Sequence, residues 1–201
     1  MSTLLDLEKT LIFFTDKNTN HSYLDTYNKL FIDKKDTAKN ILEVGIYNGG
    51  SIELWNAYFT NAKIYGLDII PKNLLFVDYN EEQKNKLYKN DNVILYTGID
   101  AYNEDFFVNN FLNTNIKFDV VLDDGPHSLD SMKQFIRLYS QVMADDGILI
   151  IEDVQDINWI NLLANEVPDH LKQFIEVYDL RANKNRYDDL LFVINKNKNK
   201  K

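Results

Sequence analysis

The chain has 201 residues, a length that suits a single α/β domain with a sizeable core, and we expect one domain overall. Hydrophobic residues make up 45% of it and charged residues 26%, which argues against wholesale disorder. The formal net charge of −9 disfavours a protein that binds a phosphate backbone, so we expect a small-molecule partner and no nucleic acid. Because the chain has no cysteine, disulfides and thiolate zinc sites are excluded, and any metal must be bound by oxygen or imidazole.

We expect a cytoplasmic protein without a membrane partner. Asp6 and Glu8 interrupt the apolar pattern near the amino terminus, which is unlike a secretory signal. No apolar stretch approaches the ~20 residues needed to cross a bilayer. A homo-oligomer is compatible with the sequence. Residues 196–201 are rich in Asn and Lys and are predicted to form a disordered tail.

The first part of the chain is predicted to be helical. Apolar residues from Leu4 to Phe14 fall largely at helical spacing, and this helix is expected to end near residues 15–18. Residues 21–31 predict a second helix, with Tyr23 and Tyr27 on one face.

From residue 41 onward, short apolar runs alternate with helical patterns. Strands are predicted at 41–46, 63–69, 93–96, 120–124 and 148–153, and helices at 52–59, 81–89, 106–112, 129–143 and 159–164. Two last strands, 174–180 and 190–194, are joined by a polar segment and predict an antiparallel hairpin. The alternation predicts an α/β fold with a mostly parallel sheet of seven strands and right-handed crossovers.

A glycine loop follows the first predicted strand. The pattern Glu43-x-Gly45-x-x-x-Gly49 lies between a strand and a helix, so its glycines would let a ligand approach the backbone and the helix amino terminus. The spacing differs from the Gly-x-Gly-x-x-Gly of dinucleotide binders, which disfavours a nicotinamide or flavin cofactor. Two turn glycines and a strand-end acid would be the purely structural interpretation.

Acids also end the next strands. Asp68 ends the second strand, where an acidic side chain can accept both hydroxyls of a ribose. Asp100 ends the third, beside residues that offer an apolar wall to an adenine ring. Each acid alone would as readily be a loop cap. The fourth strand leads into Asp123-Asp124-Gly125-Pro126-His127, which places acid and base at its carboxyl end, where ligands bind in open α/β sheets.

In this order the motifs resemble class I S-adenosylmethionine-dependent methyltransferases. The motifs are Glu43 to Gly50, Gly66 to Asp68, Asp100, Asp123 to His127, and Gly147 to Asp153. They are most similar to metal-dependent macrolide-sugar O-methyltransferases of the mycinamicin type, and the cephalosporin-hydroxylase-like group shares this layout. The similarity runs from about Thr15 to the last strand.

The resemblance implies a Rossmann-like methyltransferase fold with helices on both faces of the sheet. Residues 36–195 would form this domain, and residues 1–35 a helical segment that covers the cofactor site. It implies S-adenosylmethionine as the cofactor, bound by Glu43, Gly45, Tyr47, Asn48, Gly49, Ser51, Asp68, Ile69, Asp100, Ala101, Asp123 and Tyr23. Two of these have an alternative: Asp123 in a structural role, and Tyr23 as a core tyrosine.

The resemblance also implies a metal site formed by Asp124, Glu152 and Asp153, with His127 as the base and Asp124 and His127 as the catalytic pair. The chemistry of the residues agrees, since three carboxylates from neighbouring strand ends suit Mg²⁺, with Mn²⁺ or Ca²⁺ as further options. A cation would also relieve the repulsion between these acids. Capping of strands and helices is the alternative. Pro126 departs from the family, in which a small polar residue is commoner.

The expected function is O-methylation of a hydroxyl on a sugar or glycosylated small molecule. The alternatives are a catechol-type metal-dependent O-methyltransferase and a non-catalytic cofactor-binding protein of the same fold. Nucleic-acid methylation is disfavoured by the charge and by Asp-Asp-Gly-Pro-His, which replaces the Asn/Asp-Pro-Pro-aromatic motif of amino-directed enzymes. Candidates for covering the substrate are residues 70–80, residues 155–159, the hairpin that carries Arg186 and Tyr187, and a neighbouring subunit.

Overall fold

The structure, a computed structural model, describes residues 2–197 and confirms the predicted fold class. Seven strands form a mixed, mostly parallel sheet in the order β3-β2-β1-β4-β5-β7-β6. The strands are β1 (Asn40–Val44), β2 (Lys63–Asp68), β3 (Val93–Thr97), β4 (Phe118–Asp123), β5 (Met143–Ile151), β6 (Ile175–Asp179) and β7 (Leu190–Asn195).

Eight α-helices lie in the described residues, and short 3-10 turns lie between several elements. The helices are α1 (Leu4–Glu8), α2 (Leu24–Phe31), α3 (Gly50–Tyr58), α4 (Glu81–Tyr88), α5 (Glu104–Asn110), α6 (Leu129–Tyr139), α7 (Trp159–Glu166) and α8 (Arg181–Lys184). None of these helices is long and apolar enough to pass through a bilayer.

The chain divides into two compact units, Met1–Ile99 and Asp100–Lys201. In the first unit, β2 pairs in parallel with β1 on one side and β3 on the other. Four of the five residues of β1 and five of the six residues of β2 are buried, as expected of strands covered on both faces. Helix α3 packs on β2 and helix α4 on β3.

In the second unit, β4 and β5 are parallel, and the predicted terminal hairpin is present. Strand β7 runs antiparallel to both β5 and β6. Helix α6 begins with a capping box at Ser128 and Ser131 and packs on β4 and β5. Lys196, the first residue of the predicted tail, follows β7 and donates to Ala144 O (2.7 Å). Residues 198–201 of that tail lie outside the described residues.

The opening helix is shorter than its apolar spacing predicts. It ends at Glu8, because the following backbone makes tertiary hydrogen bonds instead of helical ones. Ile12 N and Phe13 N both donate to the Glu53 carboxylate (2.8 Å each), and Phe14 N donates to Tyr79 Oη (2.8 Å). Spacing alone cannot predict acceptors that are 40 to 65 residues away in sequence.

Helix α6 is also shorter than predicted, and β5 is longer. The apolar stripe predicted for this helix includes Met143, but α6 ends at Tyr139 and Met143 begins β5. Asp146 and Gly147, which precede the predicted strand 148–153, lie inside β5, next to a register shift against β4 between Phe118 and Val120.

A buried ion pair joins the segment before α2 to β1. Lys17 Nζ lies 3.2 Å from Glu43 Oε1, and the two side chains are 1% and 0% exposed. Trp55 of α3 donates its indole N–H to Glu43 Oε2 (3.1 Å). Glu43 therefore connects three parts of the first unit.

The same segment lies against the start of α3. A Cβ added to Gly50 would lie 2.2 Å from the Phe14 carbonyl oxygen, so only glycine fits at this position. The backbone of residues 14 and 15 and the first turn of α3 are thus in direct contact.

We predict that Lys17→Met lowers the free energy of unfolding by about 3–5 kcal/mol, because it leaves the Glu43 carboxylate buried without the Lys17 cation. Urea unfolding followed by circular dichroism measures the change. Lys84→Met is the matched control, since it breaks a surface pair with Glu81 (3.0 Å) and should cost less than about 1 kcal/mol. Equal losses for the two variants would contradict the importance of the buried pair.

Candidate active site

The loop between β1 and α3 is shaped by left-handed backbone and by Asp68. Gly45, Tyr47 and Gly49 have φ of 93°, 41° and 79°. Asp68 Oδ2 accepts the N–H groups of Ile46 (2.8 Å) and Tyr47 (3.0 Å). Its Oδ1 accepts the N–H of Ile70 (2.8 Å). Asp68 therefore stabilises both the loop between β1 and α3 and the loop that follows β2. This role is additional to its predicted contact with a ribose.

The predicted cofactor residues of the first unit differ widely in exposure. Tyr47 and Ile69 are exposed (70% and 71%), and Asn48 is half-buried. Side chains here that have little accessible surface are Glu43, Ser51 and Asp68. Tyr47 and Ile69 are thus the side chains best placed to contact a ligand, while Gly45 and Gly49 contribute backbone.

Tyr23 is completely buried. Its ring stacks on His21 (4.9 Å between centroids) and contacts Tyr27 (5.9 Å), and its N–H donates to Lys17 O (3.0 Å). A side chain without accessible surface has nothing to offer a ligand directly, so the geometry favours the core tyrosine over the cofactor contact.

On the second unit, Asp100 and Ala101 precede a tyrosine that the motifs do not mark. Asp100 is exposed and accepts the N–H of Tyr102 (2.9 Å). Ala101 is buried, and its carbonyl accepts the hydroxyl of Tyr139 (2.8 Å). Both of these predicted cofactor-binding residues therefore lie in a short segment that hydrogen bonds anchor.

Asp123, the last residue of β4, is buried and accepts the hydroxyl of Tyr102 (2.5 Å). The pKa of Asp123 is raised to about 7, because burial and the charge of Asp124 raise it more than the Tyr102 hydrogen bond lowers it. Burial also raises the pKa of Tyr102 far above its ordinary value, so its hydroxyl stays a donor. This contact favours the structural alternative for Asp123.

Asp124, His127 and Asp153 form a cluster at the ends of β4 and β5. His127 Nε2 lies 3.7 Å from Asp124 Oδ1 and 3.8 Å from Asp153 Oδ2. One ligand atom from each of the three lies within 4.8 Å of the other two. The side chains are 22%, 31% and 10% exposed, so the cluster is accessible from solvent. The carboxylate oxygens of Asp124 and Asp153 suit a hard divalent cation, and the imidazole of His127 lies beside them.

Glu152, the third predicted metal ligand, is not part of this three-residue cluster. Its side chain is 1% exposed, and its N–H donates to Asp123 O (3.0 Å) across the two strands. The structure thus brings together the predicted base and two of the three predicted ligands. The role of Glu152 as a ligand stays a prediction.

Strained backbone coincides with the predicted site. Six non-glycine residues among 2–197 have positive φ, and three of them are predicted site residues: Tyr47 (41°), His127 (52°) and Asp153 (52°). Such conformations cost of order 1–3 kcal/mol each and persist where the surroundings enforce them. None of these three site residues is glycine, although aspartate and histidine adopt positive φ more often than most other residues.

A second feature that no sequence motif marks is a pair of hydrogen bonds between the Asp124–His127–Asp153 cluster and an exposed aromatic ring. Gln155 Nε2 donates to Asp153 O (3.0 Å), and Tyr187 Oη donates to Gln155 Oε1 (2.9 Å). Tyr187 is 66% exposed, and neighbouring Arg186 is held by a bidentate pair with Asp188 (3.0 and 2.8 Å). Two segments predicted to cover a substrate are therefore joined to each other beside Asp153.

No protein-family profile matches the chain, but individual known proteins are similar to it in sequence and in structure. The chain is 26% identical over 147 residues to mycinamicin VI 2''-O-methyltransferase of Micromonospora griseorubida, which covers 69% of this chain and 33% of the relative. It is 24% identical over 153 residues to 8-demethyl-8-alpha-L-rhamnosyl tetracenomycin-C 2'-O-methyltransferase of Streptomyces olivaceus, with 72% and 36% coverage. The chain thus spans about a third of the length of these relatives.

Among solved structures, the MycE methyltransferase of mycinamycin biosynthesis, in complex with Mg and SAH, superposes with a TM-score of 0.62. The match covers 87% of this chain and 50% of that chain at 20% identity, and it shows the fold. The chain therefore has the Rossmann-like fold of class I S-adenosylmethionine-dependent methyltransferases and is similar in sequence to sugar O-methyltransferases.

Proposed function

We propose that the protein is an S-adenosylmethionine-dependent and Mg²⁺-dependent O-methyltransferase that acts on a hydroxyl of a sugar or glycosylated small molecule. The observation that carries the proposal is the cluster of Asp124, His127 and Asp153, which combines metal-binding carboxylates with a base. The names of the relatives, one of which specifies a rhamnosyl compound, support the choice of acceptor. Mg and SAH in the MycE complex support the choice of cofactors.

The cofactor is assigned to two sets of residues. In the first unit, the backbone of Gly45 to Gly49 and the exposed side chains of Tyr47 and Ile69 would bind it, with Asp68 at the ribose. In the second unit, Asp100 and Ala101 would bind the adenine. S-adenosylmethionine supplies the methyl group, which passes to the acceptor oxygen and leaves S-adenosylhomocysteine.

The cation is assigned to Asp124 and Asp153, with Glu152 as the third proposed carboxylate. A bound divalent cation supplies Lewis-acid chemistry and fixes the orientation of neighbouring acceptor hydroxyls. Asp124 and Asp153 would hold it beside the ends of β4 and β5, which the hydrogen bond from Glu152 N–H to Asp123 O (3.0 Å) joins.

His127 is assigned as the general base. Its Nε2 would take the proton of the acceptor hydroxyl while the oxygen attacks the methyl carbon. A proton accepted at Nε2 lies within 4 Å of two carboxylates, at 3.7 and 3.8 Å, which stabilises the positive charge of the ring. The ring is carried by a strained backbone, since His127 has a φ of 52°.

The acceptor is assigned to the side of the second unit that carries Tyr187 and Gln155. An exposed phenol ring is suited to stacking on a sugar face, and Gln155 fixes it through the bond of 2.9 Å. Trp159, half-buried at the start of α7, could add a second ring.

A panel of acceptors tests the proposed reaction and separates it from its alternatives. We predict methyl transfer to glycosides or nucleotide sugars in the presence of S-adenosylmethionine and Mg²⁺, and its loss on addition of EDTA, measured by mass spectrometry of the products. Transfer to catechols alone would favour a catechol-type enzyme. Cofactor binding without transfer to any acceptor would favour a non-catalytic protein.

Metal and cofactor binding should be separable by mutation. We predict that Asp124→Asn weakens Mn²⁺ binding at least about 10-fold, because it removes a charged ligand, and leaves the affinity for S-adenosylhomocysteine unchanged. Asp68→Asn should weaken the binding of S-adenosylhomocysteine and leave the affinity for Mn²⁺ unchanged. The reason is that an amide accepts hydrogen bonds only at its oxygen, whereas a carboxylate accepts them at two oxygens. Isothermal titration calorimetry measures both affinities, with exposed Asp130→Asn as the control. Equal loss of both ligands in either variant would contradict the assignment.

Mutation of His127 distinguishes a base from a metal ligand. We predict that His127→Ala lowers kcat/KM by about 10²–10⁴-fold, as loss of a general base does, while Mn²⁺ affinity changes little. The control is His170→Ala, since that histidine is exposed. If His127→Ala weakens Mn²⁺ as strongly as Asp124→Asn, the imidazole is a ligand and the base must be sought elsewhere.

A further inference from the structure

We propose that Tyr102 is a positioning residue for the turn that carries the metal site, Asp123-Asp124-Gly125-Pro126-His127. The inference deepens the proposed function and rests on it, because the turn supplies the assigned metal ligand Asp124 and the assigned base His127. Tyr102 touches neither of these side chains in the contacts described above. It contacts the residues on either side of Asp124.

The first contact is a hydrogen bond. Tyr102 Oη donates to Asp123 Oδ1 at 2.5 Å, and the Asp123 side chain is buried. A hydroxyl that donates to a carboxylate forms a short, strong bond. Asp123 is the first residue of the turn and the last residue of β4. The bond therefore joins the tyrosine to the start of the turn.

The second contact is steric. A Cβ added to Gly125 would lie 2.1 Å from Tyr102 Oη, 3.1 Å from Asp123 Oδ1 and 3.2 Å from Tyr102 Cζ. Real Cβ atoms do not approach other atoms within 3.0 Å, so the hydroxyl occupies the space that any side chain at position 125 would need. Tyr102 and Gly125 are therefore matched in shape.

Tyr102 is itself anchored on the core of the second unit. Its N–H donates to Asp100 Oδ1 (2.9 Å), and the preceding carbonyl, Ala101 O, accepts the hydroxyl of Tyr139 (2.8 Å). Tyr139 is buried at the end of α6, the helix that follows the turn. Residues 101 and 102 thus contact the chain at two places, Asp123 at the end of β4 and Tyr139 at the end of α6. The turn lies between these two places.

This anchoring matters because the turn has to hold His127 in a strained conformation. His127 has φ of 52°, two residues after Gly125. A turn held at Asp123 and Gly125 has less freedom to relax, so Asp124 and His127 keep their separation from Asp153. Loss of such support around metal ligands typically costs about 10- to 100-fold in metal affinity.

A titration with Mn²⁺ alone, followed by the EPR signal of free Mn²⁺, tests the proposal without any acceptor. We expect Tyr102→Phe to weaken Mn²⁺ binding about 10-fold or more while the melting curve stays cooperative. The matched control is Tyr178→Phe, which removes an equally short bond of 2.5 Å to Glu176 elsewhere in the same unit and should leave Mn²⁺ affinity unchanged. Wild-type affinity in Tyr102→Phe would overturn the proposal.

Rescue by a second mutation provides the sharper test. Gly125→Ala alone should also lose Mn²⁺ affinity, because its Cβ collides with the Tyr102 hydroxyl. Tyr102→Phe in that background removes the atom at 2.1 Å and leaves the nearest ring carbon at 3.2 Å, so the double variant should bind Mn²⁺ more tightly than Gly125→Ala. A double variant no better than Gly125→Ala would overturn the steric part. Absence of Mn²⁺ binding in the wild-type protein would instead contradict the proposed function, and this inference with it.

Discussion

Burying a carboxylate near the end of a strand costs free energy unless the carboxylate has a polar partner. Three strands of this sheet carry such an acid, and each acid has a different kind of partner. Glu43 on β1 pairs with the Lys17 ammonium and the Trp55 indole. Asp68 on β2 accepts three backbone N–H groups. Asp123 on β4 accepts the Tyr102 hydroxyl. In each case the partner belongs to a different segment, so satisfying the acid also fixes a loop. The loops that carry the proposed chemistry are shaped as a result.

The fold was predictable because its signals are periodic. Apolar runs and helical stripes predicted all seven strands and the terminal hairpin, while the ends of several elements moved and the short helix α8 was not predicted. The largest error was the opening helix, where the spacing from Leu4 to Phe14 is helical but the backbone of Ile12 and Phe13 bonds to Glu53. A local pattern cannot contain a distant acceptor. Tertiary contacts therefore decided what local spacing could not.

The candidate site was predictable to a similar degree. The family resemblance implied Asp124, Glu152 and Asp153 as metal ligands and His127 as the base, and the positions of these acids at strand ends agreed with it. The structure brings Asp124, His127 and Asp153 together, but not Glu152. The sequence could not select Tyr102, Lys17 or Gln155, because tyrosine, lysine and glutamine occur throughout the chain and no motif marks them. Their importance comes from contacts across 21, 26 and 32 residues, respectively to Asp123, Glu43 and Tyr187. Supporting residues of this kind become visible only when the chain is folded.

The contact between Gly50 and the Phe14 carbonyl changes how the Gly-Gly pair of the first loop should be interpreted. A glycine beside a proposed cofactor loop is easily ascribed to the ligand, but here position 50 is filled by the protein's own backbone. In related chains, the residue at position 50 and the backbone path at residues 14 and 15 must therefore change together. A chain with a side chain at position 50 must have a different backbone path there. The residue at this position in an alignment would thus distinguish chains that share this amino-terminal arrangement from chains that do not.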